Sequence, residues 1–324
     1  MMGPTITVAL AGDTMLGRGV AEGLAGSAPQ SLFSPEVVEA AREADLFLLN
    51  LECCISDRGE PWPAPGKPFF FRAPPAAVDA LAHLGVDCVT LANNHALDFG
   101  EPALLDTLGH LSGAGIRAVG AGPDVVSARA PVVLEANGLR LGVVGVTDHP
   151  SDFAAADEAP GVAFADLSDG VPAWLTDTVR STDADAVLVT PHWGPNMAPE
   201  PVGHVRAAAP VLLDAGAAVI AGHSAHVFQG VQGRVLYDLG DFVDDYAVDP
   251  VLRNDLGLLW FLTLGASGPI RLEALPLRLE YCHTRLARGE DADWIRARFR
   301  RACAAFGTDV FEDDGRLVVR WRDG

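Results

Sequence analysis

The sequence contains very little lysine and few positive charges of any kind. Its 324 residues include 23 Lys or Arg against 43 Asp or Glu, for a formal net charge of -20, and Lys67 is the only lysine. Such an excess of negative charge repels nucleic-acid phosphates over the whole surface. We therefore expect no nucleic-acid partner.

Long apolar runs and a disulfide framework are lacking as well. No stretch reaches the roughly 18 apolar residues of a membrane span, and residues 1–10 have neither the basic region nor the cleavage site of a signal peptide. The five cysteines are an odd number, and the neighbours Cys53 and Cys54 could bridge each other only with strain. The sequence predicts a cytoplasmic protein without a membrane span.

Apolar strand-like runs alternate with helical patterns along the first two thirds of the chain. Strands are predicted at residues 6–10, 46–51, 88–91, 117–120, 132–136, 140–146, 185–190 and 217–221, and helices at 35–44, 75–84 and 101–114. This alternation indicates a layered α/β fold. Past Gly222, closely spaced strands at 228–231, 234–239, 256–264 and 270–281 predict a mostly antiparallel second sheet, followed by a helix at 291–306 and a strand at 317–321.

No Gly/Ser-rich linker, repeat or low-complexity run divides the chain, so we expect one domain over residues 1–324. Within it, the Pro-rich segment 59–75 is predicted to be a long loop. A loop of that length in a compact domain is more often a lid or a binding element than a connector.

Three histidines follow two consecutive apolar strands. His192 follows the run 185–190 after Pro191, and His223 and His226 follow the run 217–221. The two strands therefore bring three imidazoles to one edge of a sheet. Because imidazole is the commonest metal ligand at neutral pH, this pattern predicts a transition-metal site.

Polar side chains also follow three earlier predicted strands. They are Asp13, Glu52 and the run Asn93-Asn94-His95. Each has an ordinary alternative, since Asp13 could cap a helix, Glu52 could be a surface charge, and a single histidine is more often structural. Ligands of open α/β sheets, however, bind at the carboxyl ends of strands. Five strand ends that carry such residues together predict one metal-centred site.

The same motifs resemble those of the CapA (PgsA-type) poly-γ-glutamate capsule synthesis proteins, a branch of the calcineurin-like metallophosphoesterase superfamily. They are Gly12-Asp13, Asn50-Leu51-Glu52, Phe71-Arg72-Ala73-Pro74-Pro75, the run 91–100 around Asn93-Asn94-His95, His192-Trp193-Gly194 and Gly222-His223-Ser224-Ala225-His226. The resemblance covers residues 6–242, with the strands and helix of 251–324 completing the domain. It implies a four-layer α/β/β/α sandwich in which two sheets face each other and helices lie outside.

The resemblance further implies one or two divalent metal ions held by side chains from different strand ends. The implied ligands are Asp13 and His226 for the first metal, Glu52 as a bridging carboxylate, and Asn94, His192 and His223 for the second. The candidate catalytic residues are His95 as proton donor to the leaving group, Asn93, and Arg72 as a cation that could hold a phosphate or carboxylate. Such mixed ligands suit Mn, Fe, Zn or Co.

Two departures from the family pattern bear on this ligand set. Met15 stands where the superfamily commonly has a histidine, so we expect the metal site of Asp13 and His226 to be the weaker one. A later Ser-Leu-Gly-Asn-Phe motif is here Asp238-Leu239-Gly240-Asp241-Phe242. Either Asp could supply a ligand, repel a polyanionic substrate or belong to a solvated acidic loop.

The sequence therefore predicts a metal-dependent hydrolase that cleaves a phosphoester or a γ-glutamyl-type amide in a small-molecule or peptide substrate, which could be anionic. The alternative is a non-catalytic, metal-dependent accessory protein of poly-γ-glutamate or capsule synthesis. A pure binding protein has no need of His95 beside Asn94, and a net charge of -20 argues against capture of polyglutamate by bulk electrostatics. Nothing in the sequence predicts an oligomeric state.

Overall fold

The computed structural model describes residues 4–26, 29–63 and 65–321. The strands are β1 (Thr5–Thr14), β2 (Leu46–Leu51), β3 (Cys54–Ile55), β4 (Arg72–Ala73), β5 (Cys88–Thr90), β6 (Arg117–Val119), β7 (Ala121–Gly122), β8 (Val132–Ala136), β9 (Leu139–Thr147), β10 (Gly161–Val162), β11 (Ala186–His192), β12 (Val219–Ala221), β13 (Val231–Gln232), β14 (Val235–Leu236), β15 (Asp241–Val243), β16 (Leu256–Gly265), β17 (Gly268–Glu280), β18 (His283–Leu286), β19 (Phe311–Asp313) and β20 (Arg316–Arg320). The helices are α1 (Arg18–Gly26), α2 (Pro35–Ala41), α3 (Ala77–Leu84), α4 (Gly100–Gly113), α5 (Val125–Arg129), α6 (Ala173–Ser181), α7 (Gly203–Asp214) and α8 (Gly289–Ala304).

Two large sheets carry most of these strands. The first has the order β19-β20-β17-β16-β1-β2-β5-β6, and the second has the order β13-β14-β12-β11-β9-β8. Strands β1, β2, β5 and β6 run parallel in the first sheet, as do β9, β11, β12 and β14 in the second. Parallel strands are covered on both faces, which explains why β2 consists almost wholly of apolar residues and is buried throughout.

Three apolar cores separate four layers. Side chains of β2 alternate between two of them, since Leu46 and Leu48 face the second sheet while Phe47 and Leu49 face helices α2, α3 and α4. The core between the sheets also contains residues from β9, β11 and β14, and a third core packs α6 and α7 against the outer face of the second sheet. The α/β/β/α sandwich expected from the resemblance is confirmed.

The expected separate sheet after Gly222 is wrong. Strands β16 and β17 are antiparallel as predicted, but β16 pairs with β1 and so extends the first sheet. The short strands β13 and β14 instead join the second sheet, where β14 runs parallel to β12. A strand's own sequence determines its conformation and buried face, whereas its partner is chosen by long-range packing, here the open edge of β1.

Helix positions agree with the sequence patterns, with shifted ends. Helix α2 begins at Pro35 after Ser34, whose hydroxyl accepts a hydrogen bond from the Val37 amide at 3.4 Å, and it ends at Ala41 rather than at residue 44. Within the described ranges, no helix combines the length and the apolar content needed to cross a membrane.

Candidate metal centre

The predicted motifs of both sheets meet at the carboxyl ends of their parallel strands. Asp13 lies near the end of β1 and Glu52 directly follows β2, while His192 ends β11 and forms an isolated bridge with His223 after β12. The Nδ1 atom of His223 lies 3.3 Å from Oδ1 of Asp13, and Nε2 of His192 lies 3.4 Å from Oε1 of Glu52. The carboxylates of one sheet therefore face the imidazoles of the other.

Glycines allow the backbone to approach closely at two of these motifs. A Cβ on Gly12 would overlap the carbonyl oxygen of Gly240, which accepts a hydrogen bond from the Asp13 amide at 2.9 Å. A Cβ on Gly222 would overlap both the Tyr237 carbonyl and the Trp193 ring. The glycine that precedes each ligand candidate thus fixes the chain against its neighbour.

Two groups of side chains have the spacing of a metal site. In each of the sets Asp13, Glu52, His192 and Asp13, His226, Asp241, one ligand atom from every member lies within 4.8 Å of the others, and all members are buried. Asp13 belongs to both groups. The second group contains Asp241, whose Oδ1 lies 2.8 Å from Nδ1 of His226.

Unpartnered buried atoms test whether these groups fit a cation. A buried polar atom without a hydrogen bond is costly and rare in native proteins. Several belong to the candidate ligands: Glu52 Oε2, Asn94 Oδ1, His192 Nδ1, His223 Nδ1 and Asp241 Oδ2. All are oxygen or imidazole nitrogen atoms that can donate an electron pair to a divalent transition metal. The residues present therefore fit a metal centre.

The charge of the cluster supports the same conclusion. Glu52 and Asp241 are almost completely buried, and within the described chain their ion-pair partners are histidines, with neither Lys nor Arg in contact. Burial raises the pKa of both carboxyls well above their usual range, and neighbouring acids add to the rise. Asp13 differs, because its interactions with His223 and His226 outweigh the effect of burial and lower its pKa. Divalent cations would offset this buried negative charge.

Asn94 and Asn93, neighbours in one motif, have different environments. The side-chain oxygen of Asn94 is buried without a partner, as a metal ligand requires. Asn93 instead donates to the Asn50 side chain at 2.9 Å and to the Leu51 carbonyl at 2.8 Å, and accepts from the His95 amide at 3.0 Å. Asn50 in turn donates to Asp13 at 2.7 Å. Asn93 therefore aligns the motifs through a buried amide chain, and we leave it out of the proposed catalytic set.

His95 lies outside both ligand groups. Its Nδ1 is 2.6 Å from Oδ2 of Asp98, and the other oxygen of Asp98 is 3.0 Å from the Lys67 ammonium. Burial lowers the pKa of His95, and Asp98 opposes that shift. The sequence reasoning did not single out Asp98, although its position three residues after His95 in a short turn could have suggested a contact.

Arg72 does not join these groups. Its guanidinium donates to the carbonyls of Arg58 and Gly59, both at 3.3 Å, and lies 4.1 Å from the ring centroid of Phe99. These contacts anchor the end of the Pro-rich loop, so we leave Arg72 out of the proposed catalytic set as well. Lys67 of the same loop donates to the Asn94 carbonyl at 2.8 Å, which ties the loop to the site.

The two aspartates of the altered late motif have separate environments. Asp241 is in the second ligand group. Asp238 accepts hydrogen bonds from the amides of Ala225 and Gly240, both at 2.8 Å. Asp238 therefore holds the loop that carries His223 and His226, and neither aspartate lies in a solvated acidic loop.

Further contacts orient the histidines. Nε2 of His223 lies 2.9 Å from the Thr190 hydroxyl, which fixes the ring with Nδ1 towards Asp13. The ring of His149 lies 5.0 Å from that of His192, so His149 is near the site. Asp148 accepts from His204 and from the Gly194 amide, both at 2.9 Å, and thereby braces the loop after His192.

Fold and site together define a four-layer α/β/β/α protein with a buried histidine and carboxylate cluster suited to divalent metals. Residues 7–246 match the model of the bacterial capsule synthesis protein family PGA_cap, and the chain belongs to that family. The resemblance seen in the sequence is thereby confirmed.

Two sequence relatives support this assignment. The chain is 36% identical to a probable polyglutamine synthesis accessory protein of Mycobacterium tuberculosis over 288 residues, which cover 82% of this chain and 74% of that protein. It is 30% identical to the capsule biosynthesis protein CapA of Bacillus anthracis over 287 residues, 85% of this chain and 68% of that one. A hypothetical protein from Thermus thermophilus aligns structurally over 86% of this chain and 96% of its own, with a TM-score of 0.45 and 16% identity.

Proposed function

We propose that the protein is a metal-dependent hydrolase that cleaves a phosphoester or a γ-glutamyl-type amide in a small-molecule or peptide substrate of the cytoplasm. One observation carries this proposal: two adjacent ligand groups share Asp13, while His95 stands outside both and is oriented by Asp98. A site that only bound metal would need the ligand groups alone.

The proposed ligands are Asp13, Glu52, Asn94, His192, His223, His226 and Asp241. Divalent metals bound there would supply Lewis-acid activation of the attacking water and of the substrate oxygen. Glu52 and Asp13 would supply the negative charge that holds two cations close together. The ligand nitrogens must be neutral for this purpose, and burial lowers the pKa of His192 well below its usual range.

His95 would deliver a proton to the leaving group. Because its Nδ1 faces Asp98, Nε2 is the ring nitrogen left to donate to a substrate. The Asp98 carboxylate stabilises the protonated ring and fixes its orientation, and Lys67 holds Asp98 in place from the other side. His95 also lines an open cavity beside the metal centre, where a substrate can reach it.

The second candidate function is a non-catalytic accessory role in poly-γ-glutamate or capsule synthesis. The Mycobacterium tuberculosis relative, which is named a probable polyglutamine synthesis accessory protein, favours it. In that case metal would hold the loops of the site in shape for a partner, without turnover. The pairing of His95 with Asp98 has no purpose under this alternative.

Turnover by metal-reloaded protein separates the two candidates. Protein stripped by a chelator and reloaded with Mn, Fe, Zn or Co should hydrolyse at least one class among phosphomonoesters, phosphodiesters and γ-glutamyl amides. Asp13→Ala should abolish that activity, whereas Asp183→Ala, at a side chain that is 91% exposed, should retain it. Stoichiometric metal without turnover on any class would overturn the hydrolase and leave the accessory role.

A further inference from the structure

An open cavity of about 610 Å³ adjoins the metal centre, a size typical of small-molecule sites. We call it the aromatic pocket. It is lined by Arg18, Phe69, Phe71, His95, Asn196, Met197, His226, Tyr246, Ala247, Val248, Asp249, Pro250 and Asn254. Because the proposed ligand His226 and the proposed proton donor His95 both line the pocket, a substrate at the metals would extend into this space.

The cation of the pocket, Arg18, is already neutralised. Its Nε lies 3.1 Å from both carboxylate oxygens of Asp245, and a second contact to the same carboxylate comes from its Nη2. Asp245 also accepts from the Gly19 amide at 2.9 Å, so the pair is held by the backbone. Asp249 adds a further negative charge to the lining. A chain of carboxylates would therefore meet like charge here rather than a cationic track.

Three aromatic rings surround the Arg18 guanidinium instead. Its central carbon lies 5.3, 5.0 and 5.6 Å from the ring centroids of Phe69, Phe71 and Tyr246. Phe69 and Phe71 are nearly parallel, with centroids 6.3 Å apart and an interplanar angle of 16°. Phe71 lies 4.1 Å from the ring of His95, so the aromatic wall continues up to the proposed proton donor.

Part of this apolar surface is open to water. Phe69 is 53% exposed and Val248 is 51% exposed, which leaves a large ring and a branched side chain in solvent at the mouth of the pocket. Exposed apolar surface beside a polar site commonly marks a place where a ligand binds. Flat rings with an adjacent guanidinium are suited to stack on another planar group.

Resting on the proposed hydrolase function, we propose that the aromatic pocket binds a planar aromatic group of the substrate. The substrate class is then a compact molecule with an aryl or heteroaryl group close to the scissile bond. A long polyanionic chain is disfavoured, because the pocket offers no free cation among its lining residues. Phe69 is the residue that sets this preference.

A pair of phosphonates that differ only in a phenyl group tests the proposal in metal-loaded protein. Equilibrium dialysis should show 2-phenylethylphosphonate binding about tenfold more tightly than ethylphosphonate. Phe69→Ala should bring this ratio close to one, and Phe69→Leu, which keeps apolar volume without a ring, should lower it partly. Phe311→Ala is the matched control, since Phe311 is 55% exposed on β19, outside the pocket, and should keep the wild-type ratio.

The corresponding phosphate esters separate this proposal from the hydrolase itself. 2-Phenylethyl phosphate and ethyl phosphate both release a primary alcohol, so a difference in kcat/KM reports recognition rather than leaving-group chemistry. Tighter binding of the phenyl phosphonate in dialysis, without turnover of either ester, would overturn the proposed hydrolase function and retain the proposed aromatic recognition. The proposed aromatic recognition would be overturned, and the hydrolase retained, if the protein turned over both esters with equal kcat/KM. Equal affinities for the two phosphonates in dialysis, or no effect of Phe69→Ala on their ratio, would also overturn the recognition. Stronger binding of a γ-linked glutamate oligomer that depends on Phe69 would also overturn it.

Discussion

The candidate metal centre and the aromatic pocket share His226, and His95 lines the pocket beside them, but the two regions are built in different ways. The metal centre consists of buried side chains at the ends of parallel strands, where two sheets hold the backbone on both sides. The pocket consists of loop residues such as Phe69 and Val248, which are half exposed. Rigid strand ends suit chemistry that tolerates little displacement, whereas loops can change without loss of the fold.

The two regions also differ in whether their charged side chains are already paired within the protein. In the candidate metal centre, carboxylates such as Glu52 and Asp241 are buried without Lys or Arg partners among the described residues. Their negative charge would be offset by a cation bound from solution. In the pocket, Arg18 is already paired with Asp245. We therefore expect substitutions in the centre to remove metal and turnover, and substitutions in the pocket to alter preference among substrates.

The largest effect is expected from removing two imidazoles of the centre. His192→Ala combined with His223→Ala should abolish stoichiometric metal, because both rings are proposed ligands that are buried against carboxylates. Elemental analysis of the purified double variant measures this. The matched control is His83→Ala with His110→Ala, which removes two imidazoles from helices α3 and α4 and should keep wild-type metal. Wild-type metal content in the first variant would show that the ligand assignment is wrong.

The next effect concerns His95, where the two regions meet. His95→Ala should keep its metal and lose about 10²–10⁴-fold in turnover, the usual contribution of a positioned general acid. The loss should be smallest for good leaving groups such as a nitrophenolate, which need no proton. Steady-state rates over esters of graded leaving-group pKa test this. Loss of metal together with activity would place His95 among the ligands instead.

The clustering of most candidate ligands was predictable from sequence because these residues follow continuous apolar strands. Asp13, Glu52 and His192 each stand at a strand end that the local pattern reveals, and the rules for parallel sheets bring such ends together. The orienting residues were not predictable in this way. Asn50 is an interior residue of an apolar strand, and only the structure shows it donating to Asp13.

Of the aromatic pocket, the sequence indicated only that the segment 59–75, which carries Phe69 and Phe71, could be a lid or a binding element. Phe69 and Tyr246 lie far apart in sequence on segments without periodicity, and only the structure shows that both rings contact Arg18. The same limit explains the error with β16, whose sequence shows a strand but not its partner β1. Local pattern identifies elements and their ends, whereas contacts between loops depend on the completed fold.

A smaller effect is expected at the site that lacks an imidazole at Met15. Titration of metal-free protein with Mn or Zn should resolve two affinities, the weaker one belonging to Asp13, His226 and Asp241. Asp241→Ala should weaken that site further, by about tenfold or more, because it removes a proposed ligand. Calorimetry measures both steps. Two tight, indistinguishable sites in the wild-type protein would contradict the expected inequality.

The last effect is on stability rather than on metal binding or turnover, and it concerns Asp244, which lies between the two regions. It is buried, accepts from the Tyr246 amide at 2.7 Å through one oxygen, and has no hydrogen bond at the other. Burial raises the pKa of Asp244 from 3.8 to about 6, so its contribution to stability is complete below pH 3.8 and is lost as the pH rises through about 6.

The side chain of Asp244→Asn cannot ionise, so this variant should unfold at a higher temperature than the wild type at pH 7.5. The corresponding gain in the free energy of unfolding should be at most roughly 3 kcal/mol. This advantage should shrink as the pH falls towards 4, and bound metal should reduce it by offsetting the charge. Thermal unfolding of chelator-treated protein at both pH values measures the difference, and an advantage that did not depend on pH would show that the charge of Asp244 is not its cause.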